Sequence, residues 1–239
     1  MAYISSLADC QKVAWKTVPT PTVEEYLEII YTLASDGAEA IGARLAQALG
    51  VSPPTVTATL QRMARDGLVS FGPHKQVRLT EHGKEAVESL LRRHRLSERL
   101  LVDVLGLSWH EAHEEACRLE HAISPRVEEQ LRRVLGEPKT CPHGNPIPGT
   151  AGDVAMQEQR RLVDIPAGDT VEICRVAKRA EEDASLLLYL AQHDLKPGAR
   201  IYVREVAPFN GPVILQVDGM DVPLSRDLAA ILWVVPVSP

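Results

Sequence analysis

Aromatic side chains are scarce in this 239-residue chain, which has two Phe, five Tyr and three Trp. Its cores must therefore be built mainly from Leu, Val, Ala and Ile. Long apolar runs are missing too: none approaches the roughly 18 residues a membrane span needs. The opening Met-Ala-Tyr-Ile-Ser-Ser lacks the basic-then-apolar pattern of a secretory leader. Both absences point to a cytoplasmic protein with no membrane partner. Paired cysteine spacing is absent as well. Cys10, Cys117, Cys141 and Cys174 are scattered, which fits a reducing compartment better than a disulfide framework and leaves the Cys117 thiol available as a ligand. Nor is there an excess of positive charge. A formal net charge of -6 argues against permanent attachment to phosphate backbones.

What is present is an ordinary globular composition, 45% hydrophobic and 24% charged, in a chain long enough for three small domains. Its charge is unevenly spread. Between Ala38 and Thr80, five cations (Arg44, Arg62, Arg65, Lys75, Arg78) face two anions (Glu39, Asp66), a net of +3. A basic module inside an acidic chain suits conditional DNA binding.

Residues 1–21 lack periodicity and read as an arm. From a cap at Thr22, Tyr26, Leu27, Ile29, Ile30 and Leu33 recur at helical spacing, and the helix should stop near Asp36-Gly37. Ile41 to Leu49 predicts a short amphipathic helix, broken at Gly50-Val51-Ser52. Pro53-Pro54-Thr55 then starts another that runs to about Arg65, since proline suits a first turn whose amides have no intrahelical partner. Two short helices around a tight turn form a helix-turn-helix. Leu68 to Phe71 and Gln76 to Leu79 alternate around Gly72-Pro73-His74, a hairpin that supplies a wing. A long helix is expected from Glu81 to Leu105. Ser108 with Glu111 resembles a capping box and predicts a helix from Trp109, and Ser124-Pro125 opens another ending near Gly136. Glu137 to Gly152 has a linker's composition. Beyond it, Thr170–Val176, Arg200–Val206, Val213–Val217, Met220–Leu224 and Leu232–Val235 read as strands around an apolar helix at Leu186–Leu190, which suggests a small barrel.

The strongest chemical signal is His113-Glu-Glu-Ala-Cys117-Arg-Leu-Glu120-His121. At the helical advance per residue, positions 113, 117, 120 and 121 fall at about 0°, 40°, -20° and 80°, on one side of a helix. Two imidazoles, a thiol and a carboxylate make poor core and good metal ligands. His94 and Glu98 add a second pair at i, i+4, the spacing that lets two side chains share an ion. The bland alternative for any such stripe is a solvated charged face.

These motifs, with Arg93-His-Arg-Leu-Ser-Glu-Arg-Leu-Leu101 and Gly144-Asn-Pro-Ile-Pro-Gly149, resemble the diphtheria toxin repressor and manganese transport regulator family of bacterial metalloregulators over residues 22 to 149. The resemblance implies an α+β chain: an arm at 1–21, a winged helix-turn-helix at 22–82, a helical dimerisation and metal-binding domain at 83–138, a linker at 139–163 and an SH3-like, FeoA-like barrel at 164–239. It implies one metal held by His94, Glu98 and His113, and another by Cys117, Glu120 and His121 with Glu25 from the first helix. Iron-sensing members usually have methionine at that position. Glu25 with Glu28 one turn later is instead the pattern of manganese sensors, and carboxylates favour a hard cation, so Mn2+ is expected before Fe2+ while Cys117 pulls the other way. One acidic residue there is also explained by favourable placement in a helix's first turns. The barrel is expected to lend an oxygen ligand from Glu182, with Ser185 a weaker donor, although Glu181-Glu182-Asp183 also reads as a solvated loop.

By the same resemblance the helix from Pro54 enters the major groove of promoter DNA as one half of a homodimer, with Ser52 and Pro54 at base edges. Thr55, Thr57, Arg44, Arg62, Arg65 and Lys75 suit phosphate contacts, which position without specifying. Ala58 stands where iron repressors have glutamine, so methyl contacts and DNA shape should carry more of the recognition. Together these features predict a metal-dependent repressor that controls metal homeostasis genes and is not an enzyme. Two alternatives are a winged-helix regulator of another effector, whose DNA binding would ignore EDTA, and a mononuclear metal hydrolase, which would need an open coordination position and a general base.

Overall fold

The computed structural model describes residues 19–35, 38–150 and 158–237. The arm at 1–21 and the helix stop at Asp36-Gly37 therefore lie largely outside the described residues. The chain divides into two compact units, 1–88 and 89–239.

In the first unit, α1 (Pro21–Ser35) buries Tyr26, Leu27 and Ile30 of the expected stripe together with Val23 and Glu24, while Ile29 and Leu33 are only half-buried. It begins one residue before Thr22. The amphipathic α2 (Gly42–Leu49) ends at Gly50, whose φ of 64° lets its amide reach the carbonyls of Ala46 and Gln47. Two residues after Gly50, Ser52 caps α3 (Pro53–Arg65), its hydroxyl accepting from the Thr55 amide at 3.4 Å, with two prolines in the first turn. Val56, Leu60 and Met63 point inward, leaving the opposite face of α3 to solvent. Strands β1 (Val69–Phe71) and β2 (Val77–Leu79) pair antiparallel, joined through Pro73–Lys75 with His74 and Lys75 at positive φ. Thr80 then caps α4 (Glu81–Arg99) by accepting from the Gly83 amide at 3.0 Å. At Gly83 a β-carbon would stand 2.0 Å from the Leu68 carbonyl oxygen, so only glycine allows this approach to the wing.

In the second unit α4 gives way to a π turn at Leu100–Val104, and Gly106, at φ 72°, ends the run. The next helix differs from expectation. Ser108 and Glu111 form a turn, Glu111 N to Ser108 O at 3.0 Å, and α5 spans only Ala112–Leu119. Glu120–Ala122 then tightens into a 3-10 turn. The charged α6 (Pro125–Val134) is capped by Ser124, as expected.

Among the described residues, six strands form one antiparallel sheet in the order β3-β8-β4-β5-β6-β7. They are β3 (Arg160–Arg161), β4 (Thr170–Val176), β5 (Arg200–Val206), β6 (Val213–Val217), β7 (Met220–Leu224) and β8 (Leu232–Pro236). Register shifts between Ile173 and Arg175 and between Val203 and Glu205 interrupt the ladders. Three short helices accompany the sheet: α7 (Lys178–Glu181), α8 (Ala184–Gln192) and α9 (Arg226–Ala229). The core is aliphatic, with Leu162, Ile173, Leu187, Val203, Leu215 and Val234 fully enclosed, as the shortage of aromatics requires.

Candidate metal centre

Residues 141–148 have the Pro, Gly and Asn content of a linker, yet they are buried. Their backbone is tied in place from two sides. Arg99 donates from Nε to the Thr140 carbonyl at 2.8 Å and from Nη2 to the Cys141 carbonyl at 3.2 Å, and Arg95 donates to the Pro146 carbonyl. On the sheet side the Val176 amide donates to the His143 carbonyl at 2.9 Å. Gly144 makes the approach possible. A β-carbon at its φ of 85° would lie 1.9 Å from the Cys174 carbonyl oxygen.

This segment, α4, α5 and α7 converge on one buried cluster. One turn apart on α4, His94 Nε2 and Glu98 Oε1 are 3.1 Å apart. His113 on α5 places Nδ1 3.1 Å from His94 Nε2 and 3.4 Å from Glu98 Oε1. From α7, Glu181 brings Oε2 to 3.8 Å from His113 Nδ1. One donor atom from each of His94, Glu98, His113 and Glu181 lies within 4.8 Å of all the others. Lys178, one turn before Glu181, sets its ammonium 3.2 Å from Glu181 Oε2 and 3.4 Å from His94 Nε2.

Of the expected second triad, Cys117 and Glu120 reach the first, but among the described residues no compact donor group joins Cys117 with Glu120 and His121. Cys117 Sγ stands 3.7 Å from His113 Nε2, and its donor atom groups with those of His94 and His113. Glu120 is buried on the 3-10 turn, with Oε2 2.6 Å from His94 Nδ1 and Oε1 3.3 Å from His121 Nε2. Glu25 is exposed and Glu28 half-buried on α1, in the first unit.

Electrostatics binds the cluster together. Burial and Lys178 oppose charge on His94, yet Glu98 and the bonds to Cys117 and Glu120 outweigh them and hold its pKa well above the usual imidazole value. Burial would raise the Glu98 carboxyl, but His94, His113 and His143 keep it well below its ordinary value. For His143 burial is again overcome, by Cys141 and Glu98, and its pKa is pushed up to about 11. The Cys117 thiol, although disfavoured by burial, is brought down to about 7 by His113 and His94. Glu98 Oε2 is buried with no hydrogen-bond partner within the protein. An orphaned carboxylate oxygen among imidazoles and a second carboxylate is a donor set that fits a divalent cation.

The carboxylate that the barrel contributes is Glu181; Glu182 is exposed, as is Ser185, whose hydroxyl donates to Asp183 Oδ1 at 2.8 Å. α7 turns Glu181 inward and Glu182 outward, a one-residue difference that a loosely matched segment does not resolve. Cys141, His143, Asn145 and Lys178 were not expected at the centre. Cys141 and His143, two residues apart beside the Gly144–Gly149 motif, carried a signal, masked by a composition that reads as solvated.

On the first unit, Arg44, Ser52, Pro54, Thr55, Thr57, Arg62, Arg65 and Lys75 are all exposed. Some are already engaged. Ser52 Oγ lies 2.8 Å from Thr55 Oγ1, Thr57 Oγ1 donates to the Pro53 carbonyl at 3.0 Å, and Arg44 donates to the Glu39 carbonyl at 2.8 Å.

A winged helix-turn-helix in one unit and a buried cluster of imidazoles and carboxylates in the other define the class of metal-binding transcription regulators. Family models agree. Residues 19–77 match the iron dependent repressor N-terminal DNA binding domain, 80–149 its metal binding and dimerisation domain, and 160–236 the FeoA domain. The iron-dependent repressor IdeR of Mycobacterium tuberculosis strain H37Rv is 39% identical over 220 residues, covering 87% of this chain and 94% of that protein. The diphtheria toxin repressor of Corynebacterium diphtheriae is 35% identical over 215 residues, with coverage of 87% and 94%. Among solved structures, a manganese-dependent transcriptional repressor in complex with manganese superposes with a TM-score of 0.80 at 34% identity, covering 90% of this chain and all of that one. ScaR with bound Cd2+ superposes with a TM-score of 0.77 at 30% identity, covering 92% of this chain and all of that one. The chain belongs to the iron-dependent repressor family, whose members are DNA-binding regulators and not enzymes.

Proposed function

We propose that this chain is a cytoplasmic repressor that binds promoter DNA as a homodimer when loaded with a divalent ion, and so controls genes of metal-ion homeostasis and transport. The observation that carries the reading is the buried meeting of His94, Glu98, His113 and Glu181. These four would hold one ion, and Cys117, Glu120 and His121 another. The resemblance alone, and nothing in the geometry of either unit, adds Glu25 and Glu28. Of the two candidate ions we favour Mn2+, because carboxylates on α1 replace the thioether of iron sensors; Cys117 supports Fe2+.

When bound, the ion supplies positive charge and a cross-link among side chains. The rest is done by the protein. Glu98, already ionised, presents one orphaned oxygen, and Glu181 is oriented by the Asn145 amide, which donates to its Oε1 at 2.6 Å. Lys178 holds a positive charge against Glu181 and His94, the groups that would ligate. On DNA, α3 enters the major groove with Ser52 and Pro54 at base edges, while Thr55, Thr57, Arg44, Arg62, Arg65 and Lys75 contact phosphates.

The test is fluorescence anisotropy of a promoter fragment with the full chain in Mn2+, anaerobic Fe2+, Zn2+ and EDTA. Tight binding with Mn2+ or Fe2+ and loss in EDTA is the expected result. Equal affinity in all four conditions contradicts the reading.

A further inference from the structure

The wing carries a cation to which the reading so far gives no role. Arg78 on β2 is exposed, yet its guanidinium is fixed: Nε and Nη2 donate to Gln76 Oε1 at 3.0 and 2.7 Å. It lies over Gly72, where a β-carbon would stand 3.4 Å from Arg78 Nε. Carboxylates hold other arginines of the surface, as Glu115 holds Arg118 at 2.6 Å and Glu129 holds Arg132 at 3.1 Å. Among the described residues no carboxylate pairs with Arg78. The neutral amide of Gln76 orients the guanidinium without cancelling its charge, and the Nη1 hydrogens stay free to donate.

The hairpin around it is closed tightly. The Gly72 amide donates to the Gln76 carbonyl at 2.7 Å and the Gln76 amide to the Pro73 carbonyl at 3.1 Å, around a tip where His74 and Lys75 hold φ of 55° and 61°. Two successive left-handed residues with β-carbons are strained, and such strain collects where a site is presented. The Leu68 amide donates to the Met63 carbonyl at 2.9 Å, so the hairpin stands on the C-terminal end of α3. Mounted there, beside a helix seated in the major groove, it reaches toward the adjoining minor groove.

We propose that Arg78, positioned by Gln76, enters the minor groove beside each half-site and makes the protein prefer A·T pairs there. The inference rests on the repressor reading for its DNA. A narrow A·T minor groove concentrates negative potential, and a guanidinium, more weakly hydrated than an ammonium, gives up its water to enter it. Discrimination then comes from base pairs that α3 does not touch. That suits a recognition helix in which Ala58 offers no bidentate amide to a base.

The test selects duplexes from a random library with the full chain loaded with Mn2+, in parallel with Arg78→Ala and Arg78→Lys. The unsubstituted chain should enrich A·T pairs flanking each half-site, and both variants should lose that enrichment while keeping the half-site and the Mn2+ response. On one selected duplex, changing the flanking A·T pairs to G·C should weaken binding by the unsubstituted chain about fivefold or more. Changing them to inosine·cytosine, whose minor groove lacks the guanine amino group, should not. Gln76→Ala, which frees the guanidinium, should lose part of the preference. Identical selection by the unsubstituted chain and Arg78→Ala overturns the role of Arg78, as does equal weakening by G·C and inosine·cytosine. Uniform weakening of every duplex by Arg78→Ala also overturns it, reducing Arg78 to a phosphate contact. In each of these cases binding that still tightens with Mn2+ leaves the repressor reading intact, whereas a chain that selects no duplex with Mn2+ overturns both.

Discussion

Glu98 Oε1 receives three imidazoles, from His94 at 3.1 Å, His143 at 3.3 Å and His113 at 3.4 Å, while Oε2 has no hydrogen-bond partner. Such a carboxylate stays ionised through any physiological pH, and its neighbours, not Glu98, set the pH response. His94 and His113 are both raised. Their protons must leave before the nitrogens can ligate, so Mn2+ affinity should rise as pH climbs above the ordinary imidazole value of about 6.5, by up to about tenfold per unit for each proton released. Calorimetry across that range checks it, and a flat profile would exclude these imidazoles as ligands. In the ion-free protein the sign reverses. A histidine raised on folding stabilises fully below its unfolded value and loses that stabilisation as pH climbs through the folded one, about 11 for His143, so ion-free stability from this residue persists through neutrality.

The barrel's contribution can be assigned by a neighbouring pair of substitutions. Glu181→Ala should lower divalent-ion affinity by about tenfold or more, while Glu182→Ala, exposed, should leave it within about twofold. Equal effects would return the loop to its solvated reading. At this scale the sequence was legible wherever helical spacing spoke, as for His94 with Glu98 and His113 with Cys117. It was silent on Glu181, because a single residue of phase in a four-residue helix decides which carboxylate turns inward.

At the scale of elements, the segment from Cys141 to Pro148 is held between α4 and β4 by backbone geometry that only glycine permits. Gly144→Ala would bring a β-carbon against the Cys174 carbonyl and force a left-handed residue, a cost of roughly 2–4 kcal/mol from overpacking and backbone strain together. Urea unfolding should show it as a lower midpoint, together with weakened ion binding if the segment positions Glu181 through Asn145. On the first unit Ser52→Ala removes the cap of α3 and should cost about 1 kcal/mol. An unchanged midpoint would show that the Ser52 hydroxyl is kept for DNA alone. Period-two alternation made β4 to β7 legible to the residue, and proline with serine marked the starts of α3 and α6. The Cys141 segment was not legible, because its burial depends on Arg95, Arg99 and β4, distant in sequence. α5 was misjudged for a related reason: Ser108 and Glu111 have the letters of a capping box but close a turn instead.

For the whole molecule, a chain of net charge -6 carries a local excess of +3 in the segment that includes α3 and the wing. Phosphate attraction is therefore local and modest, which leaves room for an ion to decide the outcome. Among the described residues no helix is long and apolar enough to cross a membrane. If ion loading and DNA binding are one coupled equilibrium, each must favour the other by the same factor, typically 5- to 150-fold at about 1–3 kcal/mol of coupling. The direct measurement is the Mn2+ affinity of the full chain with and without saturating promoter DNA, set beside the DNA affinity with and without Mn2+. DNA should tighten Mn2+ binding by the same factor that Mn2+ tightens DNA binding. A Mn2+ affinity indifferent to DNA would contradict it.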